Sequence, residues 1–165
     1  MEGKGTHLTC NACGRSYFMT EYGTLASENG EGAFTRITDW FDWEREEVRR
    51  ELDEGRYLLD IPVDIALLAD TKCLYRIGEG RLRHSEEGFR LVNEDGSLDY
   101  QQKPQASYTL NADFYWYELG DVIGIGDRSA LYYCFPKDQS VPVAKARFAT
   151  EELYVRKKQI THEEF

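Results

Sequence analysis

Nothing in this sequence of 165 residues is apolar for long. The hydrophobic stretches are short, as in 65–69, and a membrane-spanning helix needs about 20 apolar residues in a row, so no segment is expected to cross a bilayer as a helix. The N-terminal Met-Glu-Gly-Lys-Gly lacks the apolar core of a secretion signal. Cysteine is scarce, with four residues, and without a secretion signal a disulfide framework is not expected; metal binding or burial is the better expectation for them. No block of five like charges occurs, so wholesale disorder is not expected either.

Motifs of catalysis are lacking as well. There is no Gly-x-Ser-x-Gly elbow and no Walker loop. Gly78-Glu79-Gly80 and the glycines of 120–126 do not form a dinucleotide fingerprint and do not open a helix. His84 stands in an expected strand just before the turn Ser85-Glu86-Glu87-Gly88, where a structural role is expected of it. Positive charge is in deficit: 20 Lys and Arg face 30 Asp and Glu, a net charge of -10. Such a surface repels phosphate backbones and anionic headgroups, so nucleic acid is not an expected partner.

What the chain does have is aromatic side chains, 13% of the total, with 11 Tyr and 8 Phe. These favour strands. Three segments are expected: a small β-turn region with a linker over 1–32, an amphipathic helix within 33–56, and a β-barrel with a C-terminal helix over 57–165. For the first helix, at 38–56, Asp39 is the expected cap, Phe41, Val48 and Leu52 the expected apolar stripe, and Gly55 the stop. Beyond Tyr57, period-two patterns and turn signals recur every eight to twelve residues. Ile61–Leu68 reads as a strand whose Pro62 marks a start or an edge. Asn93-Glu94-Asp95-Gly96 reads as a hairpin turn. Tyr108–Tyr117 alternates, which places Leu110, Ala112, Phe114 and Trp116 on one face, with Phe114 and Trp116 expected in the core. Helical spacing over 141–158 places Val141, Ala144, Phe148 and Val155 on one face, with Ser140 as cap and Pro142 in the first turn. The fold class is thus a β-rich α+β protein. A small antiparallel barrel closed by one helix is the pleckstrin-homology or GRAM-like plan.

The sharpest local signal is Cys10-Asn11-Ala12-Cys13-Gly14. Two thiolates three positions apart can face one tetrahedral zinc across a tight turn, and Gly14 lets the backbone return. This is one zinc-ribbon knuckle, and a ribbon needs two. His7 is a candidate third ligand, although strand spacing turns it away; Cys73 and Cys134 sit in strand-like patterns. Arg76, Arg81, Arg83 and Arg90 cluster about one hairpin and form a candidate basic binding patch, with charge balance on a solvated face as the plainer reading.

Four stretches carry a resemblance: Cys-x-x-Cys-Gly with Met19-Thr-Glu-Tyr-Gly23; Asp39-Trp-Phe-Asp-Trp-Glu-Arg45; Asp113–Val122; and Leu131-Tyr-Tyr-Cys-Phe-Pro136 with Ala149-Thr-Glu-Glu-Leu-Tyr154. In these the chain resembles, over nearly its whole length, the C-terminal extension of Firmicutes 1-acyl-sn-glycerol-3-phosphate acyltransferases. That family transfers an acyl chain to lysophosphatidic acid in phospholipid biosynthesis, using a His followed five positions later by Asp. Here Ala12 stands five after His7 and Phe89 five after His84. The resemblance therefore implies that the catalytic domain, and a first Cys-x-x-Cys knuckle, lie upstream, and that Met1 is not the natural start. The resemblance names no role for this domain, and the leading expectation is a non-catalytic accessory or regulatory domain, cytoplasmic and held at the inner membrane face by the parent enzyme. Expected partners are that catalytic domain, a further protein, or a second copy joined through a zinc shared by the Cys10 and Cys13 pairs. The alternative is a stand-alone zinc-ribbon and β-barrel module that binds a protein, a lipid headgroup or nucleic acid.

Overall fold

Short strands open the chain and longer ones follow the first helix. The computed structural model describes residues 2–10, 13–28, 32–69, 73–114 and 116–163. It divides into two units, 1–47 and 48–165, with the division inside a helix.

In the first unit β1 (Glu2–Lys4), β2 (His7–Thr9), β3 (Ser16–Met19) and β4 (Leu25–Ser27) form an antiparallel meander in chain order. Leu8 and Tyr17 are directly opposed across β2 and β3 and so share a face. On it Tyr17, Leu25 and Trp40 are buried, with Met19, Phe34 and Ile37 partly covered. The Tyr17 ring meets Trp40 edge-on at 5.9 Å, and its hydroxyl accepts the Ala33 N–H at 3.2 Å.

Helix α1 spans Ile37–Asp53. Asp39 lies inside its first turn and not at the cap, which corrects the sequence expectation. Its carboxylate reaches back to accept the Arg36 N–H at 3.0 Å and the Thr35 hydroxyl at 3.1 Å, the returning half of a capping box. Gly55, at φ 64°, stops the helix as expected, and the Arg56 N–H donates to Glu51 O at 2.8 Å across the reversal. The expected stripe holds only in part. Val48 and Leu52 are buried, but Phe41 is exposed and Trp40 is buried in its place. The reason is that the helix serves two cores: Ile37 and Trp40, three apart, join the first unit, and Val48 and Leu52, four apart, join the second.

The second unit holds β5 (Leu59–Leu68), β6 (Tyr75–Ser85), β7 (Gly88–Asn93), β8 (Asp99–Gln102), β9 (Asn111–Asp113), β10 (Val122–Gly126), β11 (Leu131–Pro136) and α2 (Val143–Glu163). The strands form one antiparallel sheet in the order β8-β7-β6-β5-β11-β10-β9. The sheet curls until its first edge nears the strands at its far side. The rings of Tyr100 on β8 and Tyr132 on β11 come within 5.1 Å, and the Gln102 side-chain oxygen accepts the Gly126 N–H at 3.0 Å. The result is a curled half-barrel, so the β-rich α+β expectation holds in that form. Its core joins Val63, Ile65, Leu82, Leu91, Ile123 and Cys134 to Val48 and Leu52 of α1 and to Ala146, Ala149 and Leu153 of α2. Strand alternation puts the β5, β6 and β7 residues inside, where each large aliphatic side chain contributes about 1.5–3 kcal/mol by leaving water. Ion pairs tie the end of α1 to α2: Lys145 with Glu51 at 2.6 Å, Arg49 with Glu152 at 3.3 Å and Arg156 with Asp53 at 2.8 Å.

Three further expectations are corrected. Pro62 lies in a central strand, paired opposite Arg81 of β6. It is tolerated because the β11 ladder ends beside it, at Val63 opposite Pro136, and its carbonyl still accepts the Lys137 N–H at 3.1 Å. The alternation of Tyr108–Tyr117 yields only the three-residue β9. Beyond it the chain forms a 3-10 turn at Trp116–Glu118, in which the Trp116 N–H donates to Gly120 O at 3.0 Å and Glu118 takes φ 62°. Leu110 is buried, but Phe114 is 57% exposed, and Trp116 stacks on Tyr133 at 5.0 Å instead of sharing a face with Phe114. On α2 the buried residues are Val143, Ala146, Phe148, Ala149, Thr150 and Leu153, so Phe148 is in the core as expected and Val141 and Ala144 pack against it in part, whereas Val155 is exposed. The small Ala146 and Ala149 side chains are fully buried there.

Candidate functional site

The Cys-x-x-Cys turn joins β2 to β3. Leu8 opposite Tyr17 and Thr9 opposite Ser16 bring the strands to the turn in register. The ladder then extends by one bond, from Cys10 N–H to Arg15 O at 2.8 Å, and the Gly14 N–H returns to Cys10 O at 2.8 Å. Gly14 takes φ 70°, a conformation that side chains disfavour, which is why glycine stands there. Cys10 is half-buried and Cys13 exposed; Asn11 and Ala12 lie outside the described residues. His7 is engaged elsewhere, its Nδ1 2.9 Å from a Glu28 carboxylate oxygen. Among the described residues no three His, Cys, Asp or Glu side chains converge as a metal cage. The donor set at the turn is therefore a pair of thiols, chemically suited to zinc but half of a tetrahedral site.

Cys134 and Cys73 do not add to it. Cys134 is fully buried in β11, where burial pushes its thiol well above the ordinary value. Cys73 is exposed just before β6, not embedded in a strand as its sequence pattern suggested.

His84 is 1% exposed on β6. Its ring stacks on Phe89 at 3.7 Å, and its Nδ1 shares a hydrogen bond with the Tyr57 hydroxyl at 2.8 Å. Burial lowers its pKa from 6.5 to about 3 and raises that of Tyr57. This neutral, buried imidazole is packed as part of the core.

The four arginines of the candidate patch do not share one state. Arg76 pairs with Asp64 at 3.0 Å, Arg81 with Asp60 at 2.5 Å, and Arg90 forms a two-pronged contact to Asp99 at 3.0 and 2.8 Å. The hydrogen bonds from Arg90 hold the Asp99 carboxyl below its ordinary value. Arg83, exposed on β6, is without such a partner among the described residues. The outer face of β5–β7 is accordingly a mixed row of opposite charges.

Two open concavities flank the end of β8 and share Gln101, Gln102 and Lys103. The larger, about 600 Å³, also takes in Tyr100, Gly126 and Arg128; the smaller, about 180 Å³, takes in Arg83, Ser85 and Arg90. Lys103 and Arg128 escape a reading of spacing and charge runs, because they stand 25 positions apart, after β8 and after β10. Only the curl of the sheet brings them to one place.

Compared with protein-family models, curated proteins and solved structures, the chain finds no match.

Proposed function

We propose that this chain is a non-catalytic accessory domain of a membrane-associated lysophosphatidic acid acyltransferase. In this reading the β1–β4 unit carries half of a zinc ribbon, and the second unit is a half-barrel of pleckstrin-homology or GRAM-like type. The observation that carries the accessory role is how the reactive side chains of the second unit are used. His84 is stacked and buried, Cys134 is buried, and Asp60, Asp64 and Asp99 hold arginines. The barrel type is supported by two meanders, β5–β8 and β9–β11, joined through the β5–β11 ladder and packed against a C-terminal helix. The acyltransferase assignment rests on the four sequence stretches given above. No helix is long and apolar enough to cross a membrane among the described residues, so attachment to a membrane is supplied by the parent enzyme.

Cys10 and Cys13 would hold the metal, which would supply a structural cross-link and no chemistry of its own. With two thiolates per chain, zinc joins two copies into a dimer, and an upstream second knuckle converts this to one tight site per chain. Elemental analysis with light scattering distinguishes the cases; one zinc per monomer, unaffected by Cys10→Ser and Cys13→Ser, contradicts the half-ribbon. For the accessory role, the purified chain is incubated with lysophosphatidic acid and an acyl donor. No phosphatidic acid should form, and a time-dependent product abolished by substituting a residue of this chain overturns the reading.

A further inference from the structure

The chain has an excess of ten carboxylates, so a cation left without one is informative. In the second unit Arg49, Arg56, Arg76, Arg81, Arg90, Lys137, Lys145, Arg147 and Arg156 each pair with Asp or Glu. Arg83, Lys103 and Arg128 have neither an ion pair nor an aromatic partner among the described residues. All three line the two concavities that flank the end of β8, with Lys103 common to both. Arg83 stands on β6, Lys103 after β8 and Arg128 after β10, and the curl of the sheet brings Arg128 to the concavity that Lys103 lines.

The other polar groups at this place also favour an anion. Gln102 is 7% exposed, and its side-chain oxygen is taken by the Gly126 N–H at 3.0 Å and the Tyr100 hydroxyl at 3.3 Å. That fixes the orientation of the amide and leaves its NH2 group as the donor without a protein acceptor. Asp127, the one carboxylate of the larger concavity, is spent on the β10–β11 turn, accepting the Ser129 N–H at 2.8 Å and its hydroxyl at 2.6 Å. The smaller concavity has Glu87 as its carboxylate besides the arginine-committed Asp99 nearby. Uncommitted donors therefore outnumber uncommitted acceptors.

We infer that the larger concavity at the end of β8 is a binding site for a phosphate monoester, held by Lys103 and Arg128 with the Gln102 amide beside them. A dianion with oxygens in several directions satisfies several separated donors, which a single carboxylate does not. The phosphate can belong to a soluble metabolite or to a lipid headgroup. The inference does not depend on the acyltransferase reading, since the site is defined by this chain alone.

The test is titration of the 15N-labelled chain with inorganic phosphate at constant ionic strength, chloride being exchanged for phosphate. Saturating amide shifts are expected at Lys103, Gly126 and Arg128. The double variant Lys103→Gln/Arg128→Gln should weaken binding at least about tenfold, the worth of one lost charge-assisted contact. Lys103→Arg, which keeps the charge, and Arg81→Gln, which removes a paired arginine elsewhere, should leave it within a factor of about two to three. Sedimentation with phosphatidylcholine–phosphatidic acid vesicles, but not with phosphatidylcholine–phosphatidylglycerol vesicles, identifies the source as a lipid phosphomonoester; phosphate binding without vesicle binding identifies a soluble one. Shifts that do not saturate, that chloride reproduces, or that survive in a folded Lys103→Gln/Arg128→Gln variant overturn the inference.

Discussion

Acid should weaken this protein through one side chain before its carboxylates titrate. His84 is held neutral in the core, with a folded-state pKa of about 3 against an ordinary 6.5. A depressed folded value means that the unfolded chain binds the proton better. The contribution is therefore fully present above pH 6.5 and is lost as the pH falls towards 3. The whole shift corresponds to at most about 5 kcal/mol, at about 1.4 kcal/mol per pH unit. Between pH 7 and pH 5 the same linkage gives a loss of about 2 kcal/mol, a large share of a typical domain stability. The aspartates with lowered values, Asp39, Asp95, Asp99, Asp127 and Asp138, start from 3.8 and so act below this window. Urea unfolding followed by far-UV circular dichroism at pH 7, 6 and 5 measures the loss. His84→Gln retains an acceptor for the Tyr57 hydroxyl and does not titrate; it should be less stable at pH 7 but nearly level between pH 7 and pH 5. A wild-type stability that is flat over this range, or a His84→Gln slope equal to the wild-type one, refutes the reasoning.

Other outcomes follow from packing. Leu110→Ala should cost about 2–5 kcal/mol by leaving a cavity, while Phe114→Ala should stay within about 0.5 kcal/mol; equal denaturation midpoints would put the chain after β9 back in a strand. Gly88, at φ 102°, also lies against the Gln102 carbonyl, so Gly88→Ala should destabilise well beyond the roughly 1 kcal/mol of left-handed strain alone, as thermal melting would report. Cys134 should resist a thiol reagent in the folded protein while Cys13 reacts; mass-spectrometric labelling at equal rates would show that β11 opens freely.

Much of the architecture was legible because side-chain period and turn chemistry agree. The β5 alternation buries Ile61, Val63 and Ile65, and the expected Ser85–Gly88 and Asn93–Gly96 turns lie where Gly88 and Gly96 take positive φ. Gly55 ended α1 for the same local reason. What was not legible depended on tertiary contacts. Phe114 and Trp116 alternate in sequence, but the reversal at Glu118 and Gly120 separates them. Phe41 lies on the Val48 face of α1, yet the first unit's core takes Trp40. Pro62 reads as an edge residue until the β11 ladder is seen to stop beside it. For the candidate sites, the thiol pair was legible because its ligands are neighbours in the chain. The Arg76–Arg90 cluster was visible as charge, but not the aspartates that pair with three of its members. The meeting of Lys103 with Arg128 had no local signal, since curl and not spacing creates it.

The proposed accessory role for an acyltransferase is tested by the reading frame upstream of the Met1 codon. Under that proposal, sequencing should find the frame open, with a second Cys-x-x-Cys close by and, further upstream, a His followed five positions later by Asp within a catalytic domain. A stop codon before any such motif, or an upstream domain of another kind, contradicts it.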